Sequence, residues 1–275
     1  MSGDFVKDEI AENILCLIEK SDLKITPSEL EKRASAQFNV KRKNIKSVIK
    51  SLVEKGDLAY TYIFGRTFIE KSFYKPVYLS KHVIITPPGV LFSSKEKDDV
   101  VIKIKDGASF GTGRHPSTLL SVKGIEYLLK DSCLIKKNNN ACLLDIGTGS
   151  GILLITAIML GIKRGVGIDI DPCSLYDASE NIKENDLEDR AKIFGISIDD
   201  IKDKFQLITA NLRYPTLKKL FPKINEITAK NGAVVVSGLK TYEAGRLINI
   251  YTEKYFKLEW NLNEKDWAGL VFVKQ

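Results

Sequence analysis

The sequence has only two histidines, His82 and His115, and none of its four cysteines (Cys16, Cys133, Cys142, Cys173) falls in a C-x-x-C pair. Structural zinc and dithiol redox sites need closely spaced Cys and His ligands. No metal site is therefore expected, and the cysteines read as reduced, mostly buried thiols. No run of about 18 apolar residues occurs, so no membrane span is expected. The opening residues, MSGDFVKDEIAEN, are polar and acidic. They lack the basic-then-apolar layout of a secretory signal, and a cytoplasmic protein is the expectation. Blocks of like charge are also missing. The net charge of +7 comes from scattered lysines, a pattern that serves solubility first and favours acidic partners such as RNA or a ribosomal particle only weakly.

What is present is an ordinary globular composition, 44% hydrophobic and 28% charged over 275 residues. That suits one large domain or two smaller ones. Residues 8–20, DEIAENILCLIEK, place Ile10, Ile14, Leu15, Leu17 and Ile18 at helical spacing. In ITPSELEKRASAQF, Thr26 and Glu29 form a capping box around Pro27, so a second helix starts at 26–27. A third helix fits 41–54, with Ile45, Val48, Ile49, Leu52 and Val53 on one face and Gly56 as its stop. LAYTYIFGRTFIEKSF then reads as two strands around a turn near Gly65 and Arg66. Three helices and a hairpin resemble a winged helix. Its third helix begins with Lys41, Arg42, Lys43 and Lys46, which is compatible with nucleic-acid binding or with a solvated face of a module that binds protein or merely packs. The expected division is 1–74 as a winged-helix-like substrate- or partner-binding module, 75–105 as a connector with short strands, and 106–275 as the main domain.

From Ala141 onward strand and helix alternate: CLLDI, a helix over 151–160, GVGIDI, a helix through CSLYDASENIKEN, AKIFGIS, FQLITANL, a helix near 216–229, AVVVSGL, and two closing strands. This α/β alternation predicts a mainly parallel, Rossmann-like sheet with helices on both faces. Its ligand would bind beyond the carboxyl ends of the strands. Directly after the first of these strands comes DIGTGSG, with Asp145, Gly147, Gly149 and Gly151. Glycines there allow positive φ and close backbone approach to a ligand. The spacing is G-x-G-x-G, whereas a dinucleotide fingerprint reads G-x-G-x-x-G. GIDID places Asp169 at the end of the next strand, 22 positions past Gly147. A carboxylate there accepts two ribose hydroxyls. Asp171 is the alternative acid, but Asp171-Pro172 looks like a helix start.

The D-x-G-x-G-x-G form resembles motif I of class I S-adenosylmethionine-dependent methyltransferases. Taken in order, FGTGRHPST, LLDIGTGSGIL, GIDIDP, ANLRYP and DWAGL resemble the PrmA family, methyltransferases of a large-subunit ribosomal protein, over roughly 95–275. The resemblance implies S-adenosylmethionine as cofactor and a lysine amine of a protein substrate as acceptor. It implies that Phe110, Gly111 and Thr112 lie over the cofactor, that Thr118, Gly147, Asp169 and Asn211 contact it, and that Asp145 and Gly149 belong to the same motif. His115, Asn211 and Tyr214 are the candidate catalytic residues. His115 either takes a proton or holds the turn. Thr118 either contacts the cofactor or caps a helix over 118–129, and Tyr214 either stacks on substrate or packs. The chain departs from the family at Arg114, where the family carries Thr. The proline of NLRYP also comes one residue early, and the family's usual front domain is ferredoxin-like. Two further readings stand beside protein methylation: an RNA methyltransferase guided by the front module, and a non-catalytic cofactor-sensing regulator.

Overall fold

The computed structural model describes residues 3–21, 23–63, 65–72, 75–94, 96–105, 113, 115–132, 134, 141–253 and 255–275. They form two compact units, 1–76 and 77–275.

The first unit contains α1 (Gly3–Glu19), α2 (Pro27–Phe38) and α3 (Arg42–Glu54), then the antiparallel hairpin β1 (Leu58–Ile63) and β2 (Arg66–Lys71). The capping box is formed: Thr26 Oγ1 accepts from Glu29 N at 3.3 Å, and Glu29 Oε2 accepts from Thr26 N at 2.9 Å. Helix α2 ends where Asn39 adopts φ 51°, a left-handed cap that Asn tolerates better than most residues. The apolar stripes converge in one core of Ile14, Leu30, Ile45, Ile49, Leu58 and Ile69. Ile25, just ahead of α2, bridges Ile69, which ties the hairpin to the helices.

In the second unit, β3 (Val77–Tyr78), β4 (Val83–Thr86) and β5 (Val100–Lys103) form a small three-stranded sheet. These strands lie in the segment read as a connector and cluster with the larger unit, which begins at Val77. Hydrogen bonds account for this. Glu126 Oε1 accepts from His82 N at 2.7 Å, and Asn185 and Asn181 accept from the Lys103 and Lys105 backbone, both at 2.9 Å.

After α4 (Pro116–Glu126), which runs on into a π-helical turn, come β6 (Cys142–Ile146), α5 (Ile152–Met159), β7 (Arg164–Ile168), α6 (Pro172–Glu184), β8 (Ala191–Phe194) and β9 (Phe205–Asn211). Then follow α7 (Tyr214–Ile227), β10 (Thr228–Lys240), α8 (Thr241–Thr252), β11 (Phe256–Glu264) and β12 (Trp267–Lys274). The seven-stranded sheet has the order β11-β12-β10-β9-β6-β7-β8. Neighbouring strands from β10 to β8 pair parallel, and β12 runs antiparallel to both β10 and β11. The order reverses beside β6, the topological switch where open α/β sheets bind ligands. On one face, Leu144, Ile146, Ile208, Val234, Val236 and Phe272 alternate into a core closed by α7 and α8.

Three cysteines are described, and none is fully buried: Cys16 and Cys142 are half-buried and Cys173 is exposed. This corrects the sequence reading. Cys173 is the second residue of α6, on the solvent side of a helix start, and Cys142 opens an inner strand at its rim, where Arg164 Nε reaches its Sγ at 2.9 Å. Among the described residues no helix is long and apolar enough to cross a membrane, and no cluster of three metal-ligating side chains occurs.

Tyr251 of α8 is fully buried between Phe272 and Phe221, with ring centroids 4.6 and 4.5 Å away, and its hydroxyl has no hydrogen-bond partner among the described residues. Burial pushes that hydroxyl's pKa up. A desolvated, unpartnered hydroxyl costs on the order of 1–3 kcal/mol. Tyr251→Phe is therefore expected to stabilise the protein by about 1 kcal/mol, raising Tm by ~2–4 °C in a calorimetric melt. A lower Tm would mean that the hydroxyl is paired.

Candidate functional site

The cleft lies at the carboxyl ends of β6, β7, β9 and β10 and has a volume of about 600 Å³. Specific small-molecule sites span ~300–1,000 Å³. Its floor is the turn after β6. Gly147, Gly149 and Gly151 have φ of 68°, 54° and 79°, which only glycine adopts without strain. A Cβ on Gly147 would sit 2.8 Å from the Leu212 side chain. The turn is also tied to the neighbouring strand, since Gly147 N and Thr148 N both donate to Ile168 O, at 2.9 and 3.0 Å.

Asp169 sits at the end of β7 and lines the cleft. Its Oδ2 accepts from Gly149 N and its Oδ1 from Asp171 N, each at 3.0 Å. Each carboxylate oxygen keeps a second lone pair, so two hydroxyls of a ligand can still be accepted. Asp171 has a different task. It caps α6, accepting from Cys173 N at 3.1 Å and from Ser174 Oγ at 3.2 Å.

Asn211 closes β9, and its Oδ1 is buried with no partner among the described residues. Its Nδ2 lies 3.5 Å from Thr118 Oγ1. Gly238 faces it from β10 at φ 84°; a Cβ there would lie 2.8 Å from Asn211 Oδ1 and 2.7 Å from Leu212 O. Only glycine lets β10 pass so close to the Asn211 oxygen, which stays buried in the cleft wall. A buried acceptor without a donor is costly unless a ligand supplies one.

His115 lines the same cleft and caps α4. Its Nδ1 accepts from Ser117 N at 3.2 Å and lies 2.7 Å from Ser117 Oγ. Burial first, and the Lys240 charge second, hold its imidazole pKa below the ordinary value. A neutral imidazole whose Nδ1 accepts must carry its proton on Nε2. His115 thus holds the turn as an acceptor, and its basic nitrogen is already engaged. Trp267 packs edge-on against it, centroids 4.5 Å apart, and the Lys240 ammonium lies 3.9 Å from the Trp267 ring centroid.

Of the residues expected from the sequence, Gly147, Gly149, Asp169, Asn211 and His115 meet at this cleft. Asp145 does not line it. It is 1% exposed beneath the turn, accepting from Thr148 Oγ1 at 2.7 Å and from Thr209 Oγ1 at 2.6 Å. Thr118 is fully buried in the first turn of α4, behind Asn211. The helix starts at Pro116 with His115 as its cap, so the alternative of Thr118 as the cap is corrected. Tyr214 opens α7 and packs half-buried against the core. Phe110, Gly111, Thr112 and Arg114 lie outside the described residues. Sequence reasoning missed Gly238, Trp267, Arg213 and the apolar wall of Ile168, Ile196 and Ile198.

Comparison with known proteins agrees with this geometry. Residues 67–275 match the sequence model of the family described as ribosomal protein L11 methyltransferase (PrmA). A ribosomal protein L11 methyltransferase of Heliobacterium modesticaldum is 30% identical over 202 residues, covering 73% of this chain and 61% of that protein. One from Lactobacillus gasseri is 29% identical over 276 residues, covering 94% and 84%. The crystal structure of a ribosomal protein L11 methylase from Lactobacillus delbrueckii subsp. bulgaricus superposes with a TM-score of 0.65 at 28% identity, covering 74% of this chain and all of that one. The chain thus spans about three fifths of the Heliobacterium protein's length.

Proposed function

The chain belongs to the ribosomal protein L11 methyltransferase (PrmA) family, and from that premise we propose that it methylates a lysine amine of a ribosomal protein in the cytoplasm, using S-adenosylmethionine. The observation that carries the reading is the meeting of Asp169 with Asn211 and its unpartnered Oδ1 across one cleft floored by left-handed glycines. The residues fit the cofactor. Asp169 offers free lone pairs to ribose hydroxyls, the Gly147–Gly149 turn admits close backbone approach, and Ile168, Ile196 and Ile198 offer an apolar wall to a base. When bound, the cofactor supplies a methyl group on a positively charged sulfur.

The chain's own contribution is positioning and dryness. The amine must arrive without its extra proton, because a lysine with its ordinary pKa near 10.4 has no free lone pair at neutral pH. Among the described lining residues the titratable groups are His115, Asp169 and Arg213. The His115 Nδ1 is engaged by Ser117, Asp169 by two backbone amides, and Arg213 is a permanent cation. Deprotonation therefore falls to water before the amine is enclosed. Burial beside Trp267 and Leu212 then favours the neutral form. Asn211 Oδ1 accepts one N–H of that amine and aims its lone pair. The match to a family of ribosomal-protein methyltransferases supports a protein acceptor over RNA, and a methyl-transferring enzyme over a cofactor sensor.

The test uses purified ribosomal protein L11 and labelled S-adenosylmethionine, with incorporation read by scintillation counting and by mass spectrometry of the modified residues. Label should enter lysine. In Asn211→Ala, kcat should fall by about tenfold or more, the loss of one oriented hydrogen bond, while cofactor affinity changes little. No incorporation into L11 or other ribosomal proteins at saturating cofactor would end the reading.

A further inference from the structure

Residues ahead of 67 lie outside the family match, and their unit carries a surface with no part in the cleft chemistry. On α3, Ile45, Val48, Ile49 and Leu52 face the core. The opposite stripe is Lys43, Lys46, Ser47 and Lys50, all exposed, with Lys41 exposed at its start. The acids of the unit are largely engaged elsewhere. Glu19 pairs with Lys71, Glu70 with Lys24, Asp57 with Lys75, and Glu31 with Arg42. Lys50 is paired with Glu54 at 3.4 Å. Among the described residues no ion pair involves Lys41, Lys43 or Lys46, so one helix face keeps unneutralised positive charge.

A second observation is independent of charge. On β1, which packs beside α3, alternate positions run from buried Leu58 to Tyr60, 53% exposed, and Tyr62, 74% exposed. A solvent-facing pair of tyrosines does nothing for the core, but each offers a flat face on which an unpaired base can stack.

We propose that this α3–hairpin surface binds single-stranded RNA, with Lys41, Lys43 and Lys46 on phosphates and Tyr60 and Tyr62 stacking bases. A helix cannot enter the deep, narrow major groove of duplex RNA, and recognition of unpaired RNA relies on aromatic stacking beside a basic track. The choice of RNA over single-stranded DNA rests on the proposed ribosomal acceptor, which lives among RNA; the surface chemistry does not depend on it.

The test is a fluorescence-anisotropy titration of a labelled 12-nucleotide single-stranded RNA with the full-length protein, without cofactor, across a salt series. Neutralising three phosphates predicts a log–log salt slope of about −2. Lys43→Glu/Lys46→Glu should weaken binding at least tenfold and flatten the slope, and Tyr62→Ala should weaken it about fivefold while leaving the slope alone. Both sites are exposed, so melting curves and S-adenosylmethionine affinity should match those of the parent. Absence of binding at 50 mM salt, or variants binding like the parent, would overturn the proposal. So would duplex DNA binding as tightly as the RNA, and equal binding of single-stranded DNA would overturn the assignment to RNA. Because no cofactor enters this titration, it stands apart from the L11 methylation assay, and either can fail alone.

Discussion

Asp169→Ala is expected to weaken binding of S-adenosylmethionine by at least about a hundredfold, and to abolish the rise in Tm that the cofactor gives the parent protein. The parent carboxylate can offer two charge-assisted hydrogen bonds to ribose hydroxyls, each worth ~1.5–3 kcal/mol. Even the lower figure for both amounts to about two factors of ten. The substitution also frees Gly149 N and Asp171 N, which the carboxylate now holds at 3.0 Å. The unliganded variant should therefore melt slightly lower, and this separates loss of the loop from loss of the ligand. Isothermal titration with S-adenosylmethionine and with S-adenosylhomocysteine measures the effect, and both ligands should suffer equally because they share the ribose. A change below about threefold would mean that Asp169 serves only to tie the loop, and the cofactor would have to be placed elsewhere in the cleft.

Much of this site could be read from residue order because strand, glycine turn and acid are local features. Gly147 and Asp169 each follow a strand whose apolar run is unambiguous, and the hydrogen bonds of the turn after β6 go to the adjacent strand. Helix α8 was missed, although Ala244, Leu247, Ile248 and Tyr251 keep helical spacing. Gly245 and the preceding Thr241 and Tyr242 weaken its local propensity, and packing on α7 and the outer strands supplies what propensity does not. Gly238 was passed over for another reason. Inside a strand a glycine signals close backbone approach, but what approaches is Asn211, 27 positions earlier in the chain, and only the sheet pairing brings them together. Trp267 and His115 meet for the same reason, across the end of the sheet. The same limit applied to Asp145. Its motif position pointed to the cofactor, whereas two threonines from different segments turn it inward.

That inward turn makes Asp145 a buried carboxyl whose titration bears on stability near neutral pH. Burial pushes its pKa up from the ordinary 3.8 to about 6; the Thr209 and Thr148 hydroxyls pull it down only in part, and the charge of Asp169 adds to the rise. A carboxyl whose folded pKa lies above its unfolded value binds its proton more tightly when folded. Its contribution to stability is then fully present below about pH 4 and is lost as pH rises through about 6. The roughly two-unit shift corresponds to about 3 kcal/mol between those limits. Asp145→Asn removes the titration while keeping nearly the same shape. Its amide oxygen still accepts from one threonine, and the other hydroxyl turns to accept from the amide nitrogen. Urea unfolding from pH 4 to pH 8 should therefore give crossing curves. The variant should be about 1 kcal/mol less stable at pH 4, where a neutral acid already fits its partners, and about 2 kcal/mol more stable at pH 8, where the parent must bury a charge. A difference between the two proteins that stays flat across this range would show that Asp145 titrates normally, and that the threonine pair neutralises the cost of burying it.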